Sequence, residues 1–304
     1  MIRFLKRKDI DDSKWDALVA HSWHETSYGY CWYLDRVTSE WHGLVLDDYS
    51  AVMPLATSVK FGIPYVLNVP FMQYTTVYGT RPDPGLFRRF MEAVPDRFRF
   101  LDFKVFLPFE PQLDNAEVTS HTNLVLDLNN PLSDLKTGFN TNTKRNLKKA
   151  DRQNITVRSM VDPEPLLETY RQFKLRKYNS KFDDLLKGRI RDIIHYGVEN
   201  GLGDLVYAYD SDNRYLGGTY FQKSGSRFIY LFSAAEETAQ KTGAMAFIVW
   251  KQIEKNAGKR KILDFEGSDI EGIARFYKGF GSTEEKYYHI KINRLPRIIK
   301  WIKD

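Results

Sequence analysis

The chain has 304 residues, 42% of them hydrophobic and 28% charged, with a formal net charge of +6. That length suits about two domains of about 150 residues, and the composition is that of a soluble globular protein. A single cysteine excludes an internal disulfide and a multi-cysteine metal site, and fits a reducing compartment.

The first residues, MIRFLKRKDIDD, contain no apolar core of a signal peptide, and no apolar run approaches the ~18 residues of a membrane span. A cytoplasmic protein is expected. The charge is placed unevenly. Six basic residues and one acid fall between Phe139 and Arg158, and the same numbers fall between Lys286 and Asp304. The rest of the chain is net negative, so anionic partners are expected at two particular places.

In chain order, Trp15, Leu18 and Val19 have helical spacing within Asp11–His21. His21 and His24 follow, without further ligands that would make a metal site, and no metal is expected. Cys31, in SYGYCWYL, reads as a small buried residue. Strand-like runs then occur at Leu44–Asp48, Ser50–Phe61 and up to Tyr78, followed by a helix near Pro84–Val94 and the strand "LDF" at Leu101–Phe103. The order repeats 162 residues on: Val206–Asp210, Arg214–Ser224, Arg227–Ala235, a helix near Thr238–Asn256, and "LDF" at Leu263–Phe265. Between the halves lie a helix at Thr143–Arg152, the strand-like "ITVR", and helices at Pro163–Tyr178 and Asp183–Glu199. The expectation is an α/β fold with a mixed sheet of α+β character, in two tandem lobes, 1–130 and 131–304, related by internal duplication.

The lobes differ after "LDF". The second continues EGSDIEGIARFYKGFGS. Ser268 and Glu271 have capping-box spacing, Ile270, Ile273, Ala274 and Tyr277 share a helical face, and Gly279 supplies a stop. Lys278 then sits in the last turn, where a cation meets the negative helix end. A second reading of Lys278 is a clamp on a phosphate-bearing donor. The donor would then lie on lobe two, with lobe one as scaffold or acceptor platform. Arg145, Lys148, Lys149 and Arg152, spaced i, i+3, i+4, i+7, form one basic stripe, which is either a solvated face or a track for phosphates, and Lys144 beside it is a further donor-binding candidate.

ARFYKGFG (Ala274–Gly281), LDFEG before it, and NTKRNLKKA (Asn142–Ala150) resemble the second lobe of the FemABX peptidyltransferases. The resemblance implies a duplicated GNAT-like acyltransferase fold, with the acyl-CoA N-acyltransferase architecture in each lobe. It implies transfer of an aminoacyl group from aminoacyl-tRNA to an amine of a cell-wall precursor, lipid-linked or nucleotide-linked. It places Lys278 on donor phosphate, with Phe280 in the same turn, and Tyr277 where a phenol protonates a leaving group. The coiled-coil arm of some members is missing. The CoA loop of GNAT enzymes matches only in part at Gln240 and Gly243, because Met245 holds the final small position.

An activated ester or thioester needs positioning, proton removal and oxyanion stabilisation, which fits a chain with no P-loop, GxSxG or dinucleotide fingerprint. Glu266 is a candidate base, and equally a strand-end residue bonded to its turn. No bound cofactor is expected. An acyl-CoA-dependent N-acyltransferase is the alternative, with acetyl-CoA or another acyl-CoA as co-substrate. A third reading is a non-catalytic module binding RNA or membrane surfaces. The tail RLPRIIKWIKD reads as a closing helix or, over 296–304, as a peripheral contact with the inner face of a membrane.

Overall fold

A computed structural model describes residues 1–178, 183–267 and 270–296, the side chains of 176–178 and of Gln240 excepted. The first repeat runs β1 (Ile2–Lys6), α1 (Asp12–Ala20), α2 (Cys31–Val37), β2 (Trp41–Leu46), β3 (Ala51–Lys60), β4 (Ile63–Leu67), β5 (Tyr78–Gly79), α3 (Pro84–Glu92), β6 (Phe100–Val105) and β7 (Ala116–Asp127). The second runs α4 (Leu132–Thr137), α5 (Thr141–Arg152), β8 (Thr156–Met160), α6 (Glu164–Tyr178), α7 (Asp184–Glu199), β9 (Gly203–Tyr209) and β10 (Tyr215–Lys223). It continues β11 (Arg227–Ala235), α8 (Ala244–Asn256), β12 (Ile262–Asp264), α9 (Glu271–Lys278) and β13 (Thr283–Asn293).

Local chemistry explains the helix starts. Asp11 accepts from Lys14 N–H ahead of α1, Asp83 from Leu86 N–H with Pro84 in the first turn of α3, and Asp183 from Leu185 and Leu186 N–H ahead of α7. Each satisfies donors that a helix start leaves open. The buried faces follow the apolar spacing: Trp15 and Val19 in α1, Phe87, Phe90 and Met91 in α3. Trp15 is 0% exposed and donates its indole N–H to the Gly29 carbonyl at 2.7 Å.

The duplication holds as a fold. Strands β2, β3, β4 and β6 recur at the offset of the two LDF runs as β9, β10, β11 and β12, and α3 recurs as α8. The chain divides into two compact units: Met1–Thr122 with the segment from Lys286, and Asn123–Glu285. In the first, the strand order is β1-β2-β3-β4-β6-β13, with β5 beside β3. In the second it is β8-β9-β10-β11-β12-β7. Both orders contain one parallel step, β4 to β6 and β11 to β12. The closing strands are exchanged: β7 follows β6 in sequence and pairs with β12, whereas β13 follows β12 and pairs with β6.

Each unit has its own core. The first centres on Phe87, Phe90, Leu101, Phe103 and Ile290, and the second on Ile248, Val249, Ile253, Leu263 and Phe280. No helix among the described residues is long and apolar enough to cross a membrane.

Three local expectations change. The helix near Thr238–Asn256 is broken: a 3-10 turn over Glu237–Lys241 ends at Gly243, whose φ of 80° starts α8 at Ala244. The capping box is not the helix start. Glu266 is left-handed at φ 54°, and α9 begins at Glu271 with Ile270 at the N-cap and no side-chain cap bond. Its apolar face is also narrower than the spacing implies, because Ile270 and Ile273 are 48% and 37% exposed. Ser268, Asp269 and the tail from Arg297 lie outside the described residues.

Candidate functional site

Helix α5 organises the second unit's basic region. Asn140 caps it by accepting from Thr143 N–H at 2.8 Å, and Thr143 and Ala150 face inward. Lys144, Arg145, Lys148, Lys149 and Arg152 are therefore turned outward, and all are exposed. Arg145 reaches the Asn142 side-chain oxygen at 2.8 Å. None of the five has a carboxylate partner among the described residues. A helix face that is cationic and unneutralised attracts anions at low cost.

Two contacts place this helix. At its start, Asn140 N–H donates to the Gly279 carbonyl at 3.0 Å. A Cβ on Gly279 would stand 2.5 Å from Thr143 Oγ1, so glycine is required for the close approach. Gly281, at φ 79°, lies against Gly138 in the same joint. In its middle, the Asn146 carbonyl lies where a Cβ on Gly243 would be, 2.4 Å away. The FYKG turn, the basic helix and the start of α8 are thus one assembly. The structure joins the turn that carries Lys278, the helix that carries the α5 cations, and Gly243 through these backbone approaches, while the Gln240 side chain is outside the description.

Within the turn, Lys278 is exposed and pairs with Glu284 at 2.7 Å. A pair so open to water is weak, so a phosphate can compete for the ammonium. Phe280 is not donor-facing. It is 0% exposed, with its ring edge-on to Phe139 at 5.4 Å and stacked at 6.0 Å on Phe265. It anchors the turn from beneath.

Tyr277 is 8% exposed, stacked on Phe265 at 4.8 Å and edge-on to Tyr230 at 5.7 Å. Its hydroxyl makes no hydrogen bond among the described residues. Burial, with Tyr230 and Glu266 nearby, pushes its pKa well above the usual phenol value. The group holds its proton and can donate a hydrogen bond at any physiological pH. Glu266 is half-buried in the turn after β12. Its N–H is held by Asp264 Oδ1 at 2.9 Å, and the next N–H, of Gly267, by Asn123 Oδ1 at 3.0 Å.

Strands β11 and β12 pair over only three rungs, from Arg227↔Ile262 to Ile229↔Asp264. Beyond Asp264, β12 ends while β11 runs on to Ala235. The sheet opens there, and Tyr230, Phe265, Glu266 and Tyr277 gather at the opening.

One cluster has no counterpart in the sequence reading. Arg227, 4% exposed, donates to Asp264 Oδ2 at 2.7 Å and to Glu285 at 3.1 and 3.2 Å. Burial raises the Glu285 pKa, against the pull of Arg227. The cluster fixes Asp264, which holds the Glu266 turn. An acid inside the apolar run ILDF was the available signal, since a carboxylate in a buried strand requires a partner.

His21 and His24 take protein partners: His21 Nδ1 lies 2.8 Å from the Ala17 carbonyl, and His24 Nε2 lies 3.1 Å from the Tyr74 hydroxyl. Among the described residues no group of three His, Cys, Asp or Glu side chains could hold a metal ion. Cys31 is 2% exposed, and burial beside Asp16 raises its thiol pKa far above the usual range.

Comparison with known proteins accords with this geometry. The family model of the acetyltransferase (GNAT) domain matches residues 138–278, which lie inside the second unit. Among solved structures, FemX superposes with a TM-score of 0.70 at 12% identity, covering 97% of this chain and 99% of that one. L-PGS from Bacillus licheniformis gives 0.55 at 10% identity, covering 95% and 93%. A tandem GNAT protein from the clavulanic acid biosynthesis pathway gives 0.50 at 12%, covering 97% and 99%. At such identities the likeness is one of fold: a duplicated, GNAT-like acyltransferase fold of the kind FemX has. A search of curated proteins found no match.

Proposed function

We propose that the protein is an acyltransferase that moves an aminoacyl group from aminoacyl-tRNA to an amine, with the donor bound on the second unit. The observation that carries this reading is the joint between α5 and the FYKG turn. It ties the turn that carries the exposed Lys278 to the start of a helix whose five cations have no carboxylate partner among the described residues. A polyanionic donor supplies the missing counter-charge. The match of residues 138–278 to an acetyltransferase domain, and the FemX-like fold, support group transfer as the reaction class, and we assign it to the opening between β11 and β12.

The chemistry asks little of the protein. The acceptor nitrogen attacks the ester carbonyl carbon, the carbon–oxygen bond to the ribose breaks, and the ribose oxygen takes a proton as the nitrogen loses one. Tyr277 is suited to donate a hydrogen bond to the departing oxygen, and Glu266 to receive the proton from the amine. Lys278 and the α5 cations hold the phosphates, and Phe280 supports the turn. Gly243 acts through packing. Acceptors with an amine on a lipid-linked or nucleotide-linked cell-wall precursor fit the same scheme.

A second reading, transfer from an acyl-CoA, is favoured by the acetyltransferase domain match. Against it, the Asn146 carbonyl crowds the start of α8, and an acceptor oxygen there repels a pyrophosphate.

Equilibrium titration with charged tRNA and with acetyl-CoA, at several salt concentrations, separates the two. The proposal expects tRNA binding whose logarithmic salt slope falls by about two in Arg145→Glu/Lys149→Glu. Saturable acetyl-CoA binding without tRNA binding moves the assignment to the second reading. Binding of neither withdraws both.

A further inference from the structure

The hairpin between β3 and β4 ends in an aromatic knob that nothing in the fold requires. Phe61 is 77% exposed and Val59 is 58% exposed. Phe61 and Gly62 form the turn at φ 52° and 75°. Such paired left-handed residues favour Asn-Gly, and a bulky side chain there is conformationally costly. An apolar residue held at a tip, at a backbone cost and with no packing in return, is suited to burial in something outside the molecule.

The register shows what surrounds it. Lys60 pairs with Ile63 across the turn, Tyr65 is level with Phe100, and Phe100 is level with Asn293. Arg294 N–H donates to the Arg99 carbonyl at 2.7 Å. Lys6, Glu40, Val59, Pro64 and Arg97 line one open hollow of about 260 Å³. One end of the first unit's sheet therefore collects Lys6, Lys8, Lys60, Arg97, Arg99 and Arg294. All are exposed, and none has a carboxylate partner among the described residues. Lys60 lies over the Phe61 ring at 5.6 Å, and Arg97 over Phe4 at 5.2 Å and Phe98 at 5.1 Å. The acids at this end are Asp9, Asp12, Asp35, Glu40 and Asp96; Asp12 and Asp35 are taken up by Arg7 at 2.6 and 2.7 Å, and Glu40 lies 3.5 Å from His42.

The geometry points to a docking surface for an anionic lipid bilayer, with Phe61 and Val59 entering the headgroup–acyl boundary and the cations around them meeting the lipid charge. One apolar insertion or one weak basic patch holds a protein to a membrane only marginally, and the two together hold it reversibly but usefully. Charge complementarity selects a bilayer over a protein groove: the knob is a single projecting tip, and among the described residues its collar is rich in cations without a carboxylate partner and no broad exposed apolar face surrounds it. The tail from Arg297, of sequence RIIKWIKD, is left out of the surface because it lies outside the described residues. It is preceded by Arg294 at this same end, so it must be separated experimentally. This inference is independent of the proposed transfer reaction.

Co-sedimentation of the full chain with vesicles of phosphatidylcholine alone, and with about one third phosphatidylglycerol, tests it. Binding is expected to the anionic vesicles only. Phe61→Ser should weaken it about tenfold, and Lys60→Glu by more than tenfold, with unchanged circular dichroism and Tm because both side chains are exposed. A chain ending at Pro296 serves as the companion variant, and its residual binding should keep the same sensitivity to Phe61→Ser. The proposal is overturned if no vesicles are bound or if neutral and anionic vesicles bind alike. It is equally overturned if Phe61→Ser leaves binding intact while removal of the tail abolishes it.

Discussion

The backbone N–H of Asn140 donates to the carbonyl of Gly279 at 3.0 Å, so the cap of the basic helix and the stop of α9 are one hydrogen-bonded joint. Through it, the position of Lys278 depends on residues far away in sequence. Effects of substitution here divide into those that loosen the joint and those that remove a charge.

Gly243→Ala belongs to the first group. The residue is at φ 80° and its Cβ would meet the Asn146 carbonyl at 2.4 Å. Loss of about 2 kcal/mol or more in urea unfolding is expected, from strain plus displacement of α5. A loss of activity in this variant would therefore not show that Gly243 touches a donor, and an unchanged midpoint would show that the close approach is absent.

Lys278→Ala belongs to the second. Its partner Glu284 is as exposed as it is, and surface pairs contribute about 0–1 kcal/mol, so Tm should move little. Donor affinity should fall about tenfold or more, the value of a charge-assisted bond to phosphate. Unchanged affinity would return Lys278 to a helix-end cation.

Arg227→Ala should cost about 3–5 kcal/mol, because it leaves the fully buried carboxylate of Asp264 without its cation. Chemical denaturation gives the figure. A cost below about 1 kcal/mol would mean that water reaches Asp264 as Arg227 leaves.

Alkaline pH should unfold the second unit early. Burial raises the pKa values of Tyr207, Tyr220, Tyr230 and Tyr277 above the ordinary 10.0. A raised pKa means the folded state keeps protons that the unfolded state releases. Stability is then full below about pH 10 and declines above it, by about 1.4 kcal/mol per pH unit for each tyrosine. Urea midpoints between pH 9 and 11 test this, and the fall should be smaller in Tyr277→Phe.

Much of this was legible in the sequence where the cause is local. Asp83-Pro84 and Asp183 start their helices because capping needs one side chain at one spacing. The repeat showed through matched strands, and the basic stripe through helical periodicity. Gly243 shows the limit: its motif suggested phosphate, whereas its φ and the Asn146 carbonyl give it a packing reason. Phe280 fell on the wrong side of its turn because two aromatics and a lysine in a row do not say which of them faces in. The acid in ILDF signalled that Asp264 needs a partner, but Arg227 and Glu285 were not legible as that partner because they are distant in sequence and brought together only by the fold. Both LDF acids nonetheless meet basic partners, Asp264 with Arg227 and Asp102 with His289 at 2.7 Å. The sequence puts one boundary near 131, while the compact units divide after Thr122 and after Glu285.

The exchange of β7 and β13 governs the order in which the molecule can be finished during synthesis. Strand β6 leaves the ribosome with its neighbour on one side still unmade, since Phe100–Val105 pairs with Tyr288–Asn293. The unit begun first is therefore completed only after the second repeat has been made, when β13 is out. Meanwhile the edge of β6, with Phe103 and Val105, is open to mispairing, which is the period in which a chaperone would matter most.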